Sequence, residues 1–440
     1  MTTIKLDPGA ALLLDALHGA GHAAYAVGGC VRDSLLGLDP HDWDLCTSAR
    51  PEQVMALFGE EKCIPTGLQH GTVTVKQGGR LYETTTFRTE GAYTDGRHPD
   101  EVHFVPDVRE DLARRDFTIN AMAYNEKEGL VDPFGGQADL QSGIVRAVGV
   151  PRQRFTEDAL RILRLYRFAA RFGFAIDPPT AQAAQELCAH LDCVSVERIE
   201  EELVKLLSAP APAAYLDKKI LLVILPELSS EALAAAKPVV DACPAGAENL
   251  PIRLAALLLS LGEDGIRRTL KRLRCSNALI EEAAVLVREA RGRDGSFSED
   301  RPLGWDPVAE GNRAGDGMAR IVSEEKATVT PDFTIYARRL LGKYNLCTVQ
   351  RIAALGTALQ PERAADFAAL SELAEQLDAD GVCCRVSQLA VNGRDLMATG
   401  VPAGPGIRKV LEALLDGVIR EEYPNERQAL LAAVQQLAAS

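Results

Sequence analysis

The sequence predicts an α+β protein, a small mixed β-sheet unit followed by an all-helical remainder, and three observations support this. Up to about residue 148 the chain carries short β-type runs punctuated by Gly, Pro, Asn or Asp. After "PRQRFTEDAL" it turns to long Ala/Leu/Glu/Arg segments of helical period. At 440 residues it also exceeds what one hydrophobic core serves, so several domains are expected.

In order along the chain, the β-type runs are "AYAVGG" (24–29), "WDLCT" (43–47), "GTVTVKQ" (71–77), "LYETTTFR" (81–88) and "EVHFV" (101–105). The helical segments break near "SAPAPAAY" (208–215), "ACPAGAENLP" (242–251), "TVTPDF" (328–333) and "ATGVPAGPGI" (398–407). Residues 291–308, rich in Gly, Ser and Asp, read as an exposed linker. There is no regular internal repeat and no low-complexity tail.

Composition excludes several classes. With 47% hydrophobic and 25% charged residues, and a mean hydropathy of −0.04, the chain can bury sizeable cores and is neither disordered nor fibrous. It has no apolar run of membrane-spanning length, and "MTTIKLDPGA" lacks a secretory layout, so a cytoplasmic protein without membrane contact is expected. Ten scattered cysteines, including the adjacent Cys383 and Cys384, lack zinc-ligand spacing and read as reduced thiols. The net charge of −14 does not exclude a nucleic-acid partner, because a phosphate backbone needs only a local basic face. Two stretches qualify: residues 152–171, with six arginines against Glu157 and Asp158, and "IRRTLKRLR" (266–274), with five cations and no acid. Each is either a solvated helix face or a backbone-binding surface.

The densest chemistry lies in "YAVGGCVRDSLLGLDPHDWDLCTS" (25–48). Asp42 and Asp44, two apart in what reads as a strand, would point to one face while Trp43 and Leu45 point to the other. Carboxylates so placed can share divalent cations, and Mg²⁺ completes its shell with phosphate oxygens and water. The glycines let the backbone approach a triphosphate whose charge meets Arg32. That layout suits nucleotidyl transfer; the alternative is a turn followed by a capped surface strand.

This stretch resembles the signature of the nucleotidyltransferase superfamily, and in its full form the bacterial tRNA nucleotidyltransferase/poly(A) polymerase family. The resemblance continues in order through "GLQHGTVTV" (67–75), "YETTTFR" (82–88), "RRDFTINAMAY" (114–124), "DPFGG" (132–136), "TEDALRILRLYRFAARFGF" (156–174) and "ERIEEELVKLL" (197–207). "VNGRDLMATGVPAGPGIRKVLEALL" (391–415) resembles the tail of class II CCA-adding enzymes. The resemblance implies a nucleotidyltransferase head (1–148), a helical neck that selects the base (149–208), a helical body (209–325) and a tRNA-binding tail (326–440). It implies metal ligands at Asp42 and Asp44, triphosphate contacts at Gly29 and Arg32, and nucleotide contacts at Arg115, Asp116 and Asn120, with Asp116 near the ribose. Glu83 is either a third, auxiliary acid or a plain strand-surface glutamate.

In the neck, Asp158, Arg161 and Arg164 follow an i, i+3, i+6 spacing, and Arg167 continues it as a further nucleotide contact. Asp158 and Arg161 would either pair as a salt bridge or present an acceptor beside donors to a base edge. Cytosine and adenine satisfy that edge, whereas uracil and guanine present the opposite pattern. The implied activity is template-independent addition of the 3′-terminal CCA of tRNA from CTP and ATP, with Mg²⁺ and release of pyrophosphate. The intact "RTEGAYTDGRHPDEVHFV" (88–105) resembles the flexible loop of complete CCA-adding enzymes. Alternatives are a poly(A) polymerase or partial CC- or A-adding enzyme, a metal-dependent phosphohydrolase, and a non-catalytic RNA-binding protein.

Overall fold

A computed structural model describes residues 3–91, 102–291 and 331–437. Most of the 88–105 loop and of the 291–308 linker therefore lies outside the described residues. Two compact units divide the chain: residues 1–230 with 272–274, and residues 231–271 with 275–440.

The first unit opens with the expected mixed sheet. The unit's strands are β1 (Ala24–Val27), β2 (Leu45–Thr47), β3 (Cys63–Gly67), β4 (Thr72–Gln77), β5 (Arg80–Thr86), β6 (Arg88–Glu90), β7 (Val102–Phe104), β8 (Ala123–Asn125), β9 (Gly129–Val131) and a short parallel pair, β10 (Ile144–Val145) with β11 (Ala175–Ile176). Seven of them form one sheet in the order β3-β4-β5-β2-β1-β8-β9. Within it β2 and β5 run parallel, and the other neighbours are antiparallel. β6 and β7 form a separate antiparallel pair. β1 is central and buried along its whole length, which its continuous apolar run requires. Its Tyr25 and Val27 pack with Cys46, Phe87, Val108, Leu112, Ala121, Ala123 and Val148 into the head core.

Among the described residues ten α-helices belong to this unit: α1 (Pro8–Gly19), α2 (Gly29–Leu35), α3 (Pro51–Phe58), α4 (Val108–Ala113), α5 (Gly136–Ser142), α6 (Pro151–Glu157), α7 (Leu160–Phe172), α8 (Pro178–Leu187), α9 (Val196–Leu207) and α10 (Lys218–Ile224). α7 buries Ile162, Leu163, Leu165, Tyr166 and Phe168, and each such large side chain contributes about 1.5 to 3 kcal/mol. It ends at Gly173, whose left-handed backbone stops the helix.

The described residues of the second unit form helices and no strands, from Ser230–Ala242 to Arg427–Leu437, with helix ends falling at the Pro/Gly breaks read from the sequence. Near its C-terminus Cys383 joins Val391, Leu396, Leu414, Val418, Leu430, Ala433 and Val434 in a small core. The "IRRTLKRLR" stretch needs correcting as an open basic surface. Arg267 pairs with Glu263 at 3.0 Å and with Glu281, Arg272 pairs with Glu227 at 2.7 Å, and Arg274 pairs with Glu197. Acids distant in sequence neutralise three of the five cations. Arg268 and Lys271 are exposed and have no ion pair among the described residues.

The "DPFGG" stretch shows how tightly the head is built. Asp132 accepts from the backbone N–H of Gly136 (2.7 Å) and Gln137 (2.9 Å). A Cβ on Gly136 would stand 2.2 Å from the carbonyl oxygen of Thr118, in the turn that carries Asn120. Gly136→Ala is therefore expected to destabilise the first unit by about 1 to 3 kcal/mol in urea melts, by pushing this turn off the sheet.

Candidate active site

Three sequence-distant segments converge at one end of the central strands. The amide of Val27 donates to the Asp44 carbonyl (2.9 Å), and that of Gly28 donates to the Met122 carbonyl (3.0 Å). The glycine turn, the aspartates and the "TINAM" turn therefore lie side by side. Parallel pairing of Leu45 with Thr84 brings Glu83 alongside Asp44.

Asp42 and Asp44 lie in the extended segment just before β2 rather than in the strand itself, because ladder pairing starts at Leu45. The expected alternation survives: Asp42 and Asp44 are exposed, and Trp43 and Leu45 are buried. Protein packed around Asp44 pushes its carboxyl up to about 6, with Glu83 and Asp42 adding to the rise and Arg115 opposing it. The side chain keeps access to water, which damps the burial part of that shift. Like charge from Glu83 and Asp42 beside Asp44 is relieved by a divalent cation, so these acids could serve as its donors. Among the described residues no ready cage of three or more His, Cys, Asp or Glu ligands is formed. Mg²⁺ sites need none, since one or two carboxylates plus substrate phosphates suffice.

Of the two glycines, Gly28 carries the steric constraint. Its φ is +78°, and a Cβ there would stand 2.8 Å from Nη1 of Arg115, whereas a Cβ on Gly29 would meet only Nη2 of Arg32, at 3.6 Å. Arg115 lies over the turn and is tethered to the buried Asp111 at 3.4 Å.

Behind the turn runs a chain of charge-assisted hydrogen bonds. Arg32 donates to Oδ1 of Asn120 (2.5 Å), and Asn120 donates to Oδ1 of Asp116 (3.0 Å). Asp116 also accepts from the Phe117 amide (2.8 Å) and, through Oδ2, from Nε (2.9 Å) and Nη2 (2.7 Å) of Arg164. Burial alone would raise the Asp116 carboxyl, but Arg164 and Asn120 hold it far below the usual carboxylate range. Both its oxygens are engaged by protein groups, so no oxygen faces a ribose unsupported. Arg167 lies against Glu202, which is also 3.7 Å from Arg164.

The neck pair needs a larger correction. Asp158 and Arg161 do not share a helical turn, because Asp158 sits in the break between α6 and α7 with an extended backbone. Its Oδ1 accepts from the Leu160 amide (3.1 Å), and its Oδ2 accepts from Arg198 (2.8 Å). Arg161 instead pairs with Glu157 (2.8 Å) and donates to the Arg114 carbonyl (3.1 Å). An Asp158–Arg161 salt bridge is not formed: Asp158 precedes α7 with an extended backbone, and each charge is met by another partner.

Family models match this chain in three places: "Poly A polymerase head domain" over residues 24–146, "Probable RNA and SrmB- binding site of polymerase A" over 173–231, and tRNA nucleotidyltransferase domain 2 over 322–434. The CCA-adding enzyme of Limosilactobacillus fermentum is 36% identical over 434 residues, covering 97% of this chain and 96% of its own. The chain belongs to the CCA-adding enzyme family. The CCA-adding enzyme of Geobacillus stearothermophilus is 35% identical over 437 residues, covering 96% of this chain and 94% of its own. Among solved structures, the Bacillus stearothermophilus CCA-adding enzyme in complex with CTP superposes with a TM-score of 0.77 at 31% identity, covering 99% of this chain and 98% of the other. CCA-adding nucleotidyltransferases generally depend on a divalent metal.

Four residues around this site lie within the quoted motifs but were given no role in the sequence reading: Asp33, Glu157, Arg198 and Glu202. Glu157 could have been found from its i, i+4 spacing to Arg161. Arg198 and Glu202 sit in the quoted "ERIEEELVKLL", but their partners lie on other elements.

The depressed Asp116 carboxyl has a signed consequence for stability. Its contribution is complete above the unfolded carboxylate value of about 4 and is lost as pH falls below it. Asp116→Asn should cost about 2 kcal/mol at pH 7 and pH 5 alike, and less at pH 3.5, in urea melts at the three values.

Proposed function

We propose that this protein rebuilds the 3′-terminal CCA of tRNA from CTP and ATP with Mg²⁺, releasing pyrophosphate in the cytoplasm. One observation carries the chemistry: Asp42, Asp44 and Glu83 gather at the sheet end beside the Gly28–Gly29 turn. Full-length relatives named CCA-adding enzymes support the substrate class.

In this reading Asp42 and Asp44 hold Mg²⁺, with Glu83 assisting. Bound there, the metal supplies activation of a 3′-hydroxyl and charge neutralisation on the α-phosphate and leaving pyrophosphate. Gly29 and Arg32 receive the triphosphate, and Arg115, poised over Gly28, adds positive charge beside it. Asp116 and Asn120 orient Arg32 and meet the sugar only by exchanging an existing hydrogen bond. Asp158 and Arg161 read the amino-bearing edge of cytosine or adenine, held in place by Arg198 and Glu157. Arg164 and Arg167 support them from α7. The helical body and tail hold the tRNA, with Arg268 and Lys271 offering uncompensated charge to its backbone.

The test is single-nucleotide incorporation on tRNA lacking CCA and on tRNA ending in CC, with each of the four triphosphates separately. Two CTP additions followed by one ATP are expected. ATP runs would make it a poly(A) polymerase, and arrest after CC a partial enzyme.

Asp42→Ala and Asp44→Ala should each lower the rate for every nucleotide by at least about 10³-fold while leaving tRNA binding nearly intact. Glu83→Gln should cost about 10- to 100-fold, also without regard to the base. Wild-type turnover by either aspartate variant overturns the assignment.

Asp158→Ala and Arg161→Ala should act differently. Each deletes half of the base-reading edge, so insertion of C and A should weaken and discrimination against UTP and GTP should shrink by about 1 to 3 kcal/mol. The same incorporation assay reads both effects, and unchanged selectivity in both variants places base choice elsewhere.

A further inference from the structure

The C-terminal half of α7 makes a contact with the head that base selection does not use. Phe168 and Phe172, one helical turn apart, stack with ring centroids 6.3 Å apart and planes within 3°. The Arg32 guanidinium straddles them, 5.2 Å from the Phe168 centroid and 4.9 Å from that of Phe172. Arg167 lies 3.9 Å from the Phe168 centroid, and Arg171 lies 4.9 Å from that of Phe172, so the two rings organise several cations together.

The remaining edges of Arg32 are also taken. Nε donates to Oδ1 of Asp33 (2.7 Å), the same oxygen lies 2.7 Å from Nη2, and Nη1 donates to Oδ1 of Asn120 (2.5 Å). Asp33 is held in turn by Arg171 at 3.2 Å. Arg32 is only 4% exposed. Ring faces, a carboxylate and an amide thus fix this planar cation from three directions, and Nη2 is the donor nearest Gly29. A guanidinium needed only for packing would be a costly choice here, since burial of its charge must be offset on every side.

We propose that Phe168 and Phe172 are positioning residues for the triphosphate: they hold Arg32 with its Nη2 edge toward Gly29 whichever base is loaded. The inference rests on the reading of Arg32 as a triphosphate contact. One helix then serves both ends of the nucleotide, with Asp158 and Arg161 at its start and the phosphate arm braced at its finish. Base and phosphate recognition are separated by about three turns of α7, so cytosine can be replaced by adenine without moving the phosphates.

The test is steady-state kinetics on CTP with tRNA lacking CCA and on ATP with tRNA ending in CC, together with inhibition by pyrophosphate. Phe172 is half-buried, and Phe172→Leu keeps most of its apolar volume while removing the ring face. It should raise KM about three- to fivefold for CTP and ATP alike and weaken pyrophosphate inhibition by the same factor, with kcat and base selectivity unchanged. Phe172→Tyr, which restores the ring, should return both to wild type. Arg32→Lys alone should raise KM and weaken pyrophosphate inhibition, and adding Phe172→Leu to it should change either by less than twofold. Unchanged KM in Phe172→Leu, full additivity in the double variant, or a shift in base selectivity overturns the positioning role. If Arg32→Lys leaves KM and pyrophosphate inhibition untouched, it is the triphosphate reading of Arg32 that fails.

Discussion

The buried carboxylate of Asp116 is the constraint on which the rest of the site depends. A charge removed from water has to be met on every side, and Asp116 is met by the Phe117 amide, by Asn120 and by two nitrogens of Arg164. Each bond fixes its donor as well as the acceptor. Asn120, held through its amide nitrogen, can only present its oxygen to Arg32, and Arg164 ties α7 to the head loop. Orientation thus passes from one saturated charge to the glycine turn and to the neck helix.

Asp44 shows the opposite arrangement a short distance away. Where Asp116 is pulled down by cations and donors, Asp44 is pushed up to about 6 by the protein around it and by Glu83 and Asp42. One acid is saturated and serves as a structural anchor. The other is crowded with like charge, which is the state a divalent cation relieves. The same residue type is driven in opposite directions by environment, and that contrast separates the saturated Asp116 from the crowded Asp44.

The break between α6 and α7 has a similar effect on the neck. Because Asp158 is extended rather than helical, its carboxylate caps the Leu160 amide and meets Arg198, and Arg161 is left to Glu157 and two carbonyls. Asp158 and Arg161 are therefore each oriented by a partner of its own instead of by the other. In the proposed reading α7 then has two separate duties, at its first turn and at its Phe168–Phe172 stack.

Periodicity and punctuation in the sequence determined the α+β division, most of the central strands, the helix ends at Pro/Gly breaks, and the in–out alternation of Asp42, Trp43, Asp44 and Leu45. Short strands with little apolar run, such as β3, β8 and β9, were not legible, because pairing across the sheet rather than local pattern makes them. The motif residues themselves were legible; their partners were not. Spacing along a chain reports which side chains share a face, and so it suggested Asp158 with Arg161 and an acid-free basic run at 266–274. Only the folded structure decided that Arg198 reaches Asp158 from 40 residues away, that Glu227, Glu281 and Glu197 neutralise the basic run, and that Phe168 and Phe172 lie beneath Arg32. The reason is physical: a charge takes the nearest opposite charge in space, and nearness in space is set by how helices and strands pack.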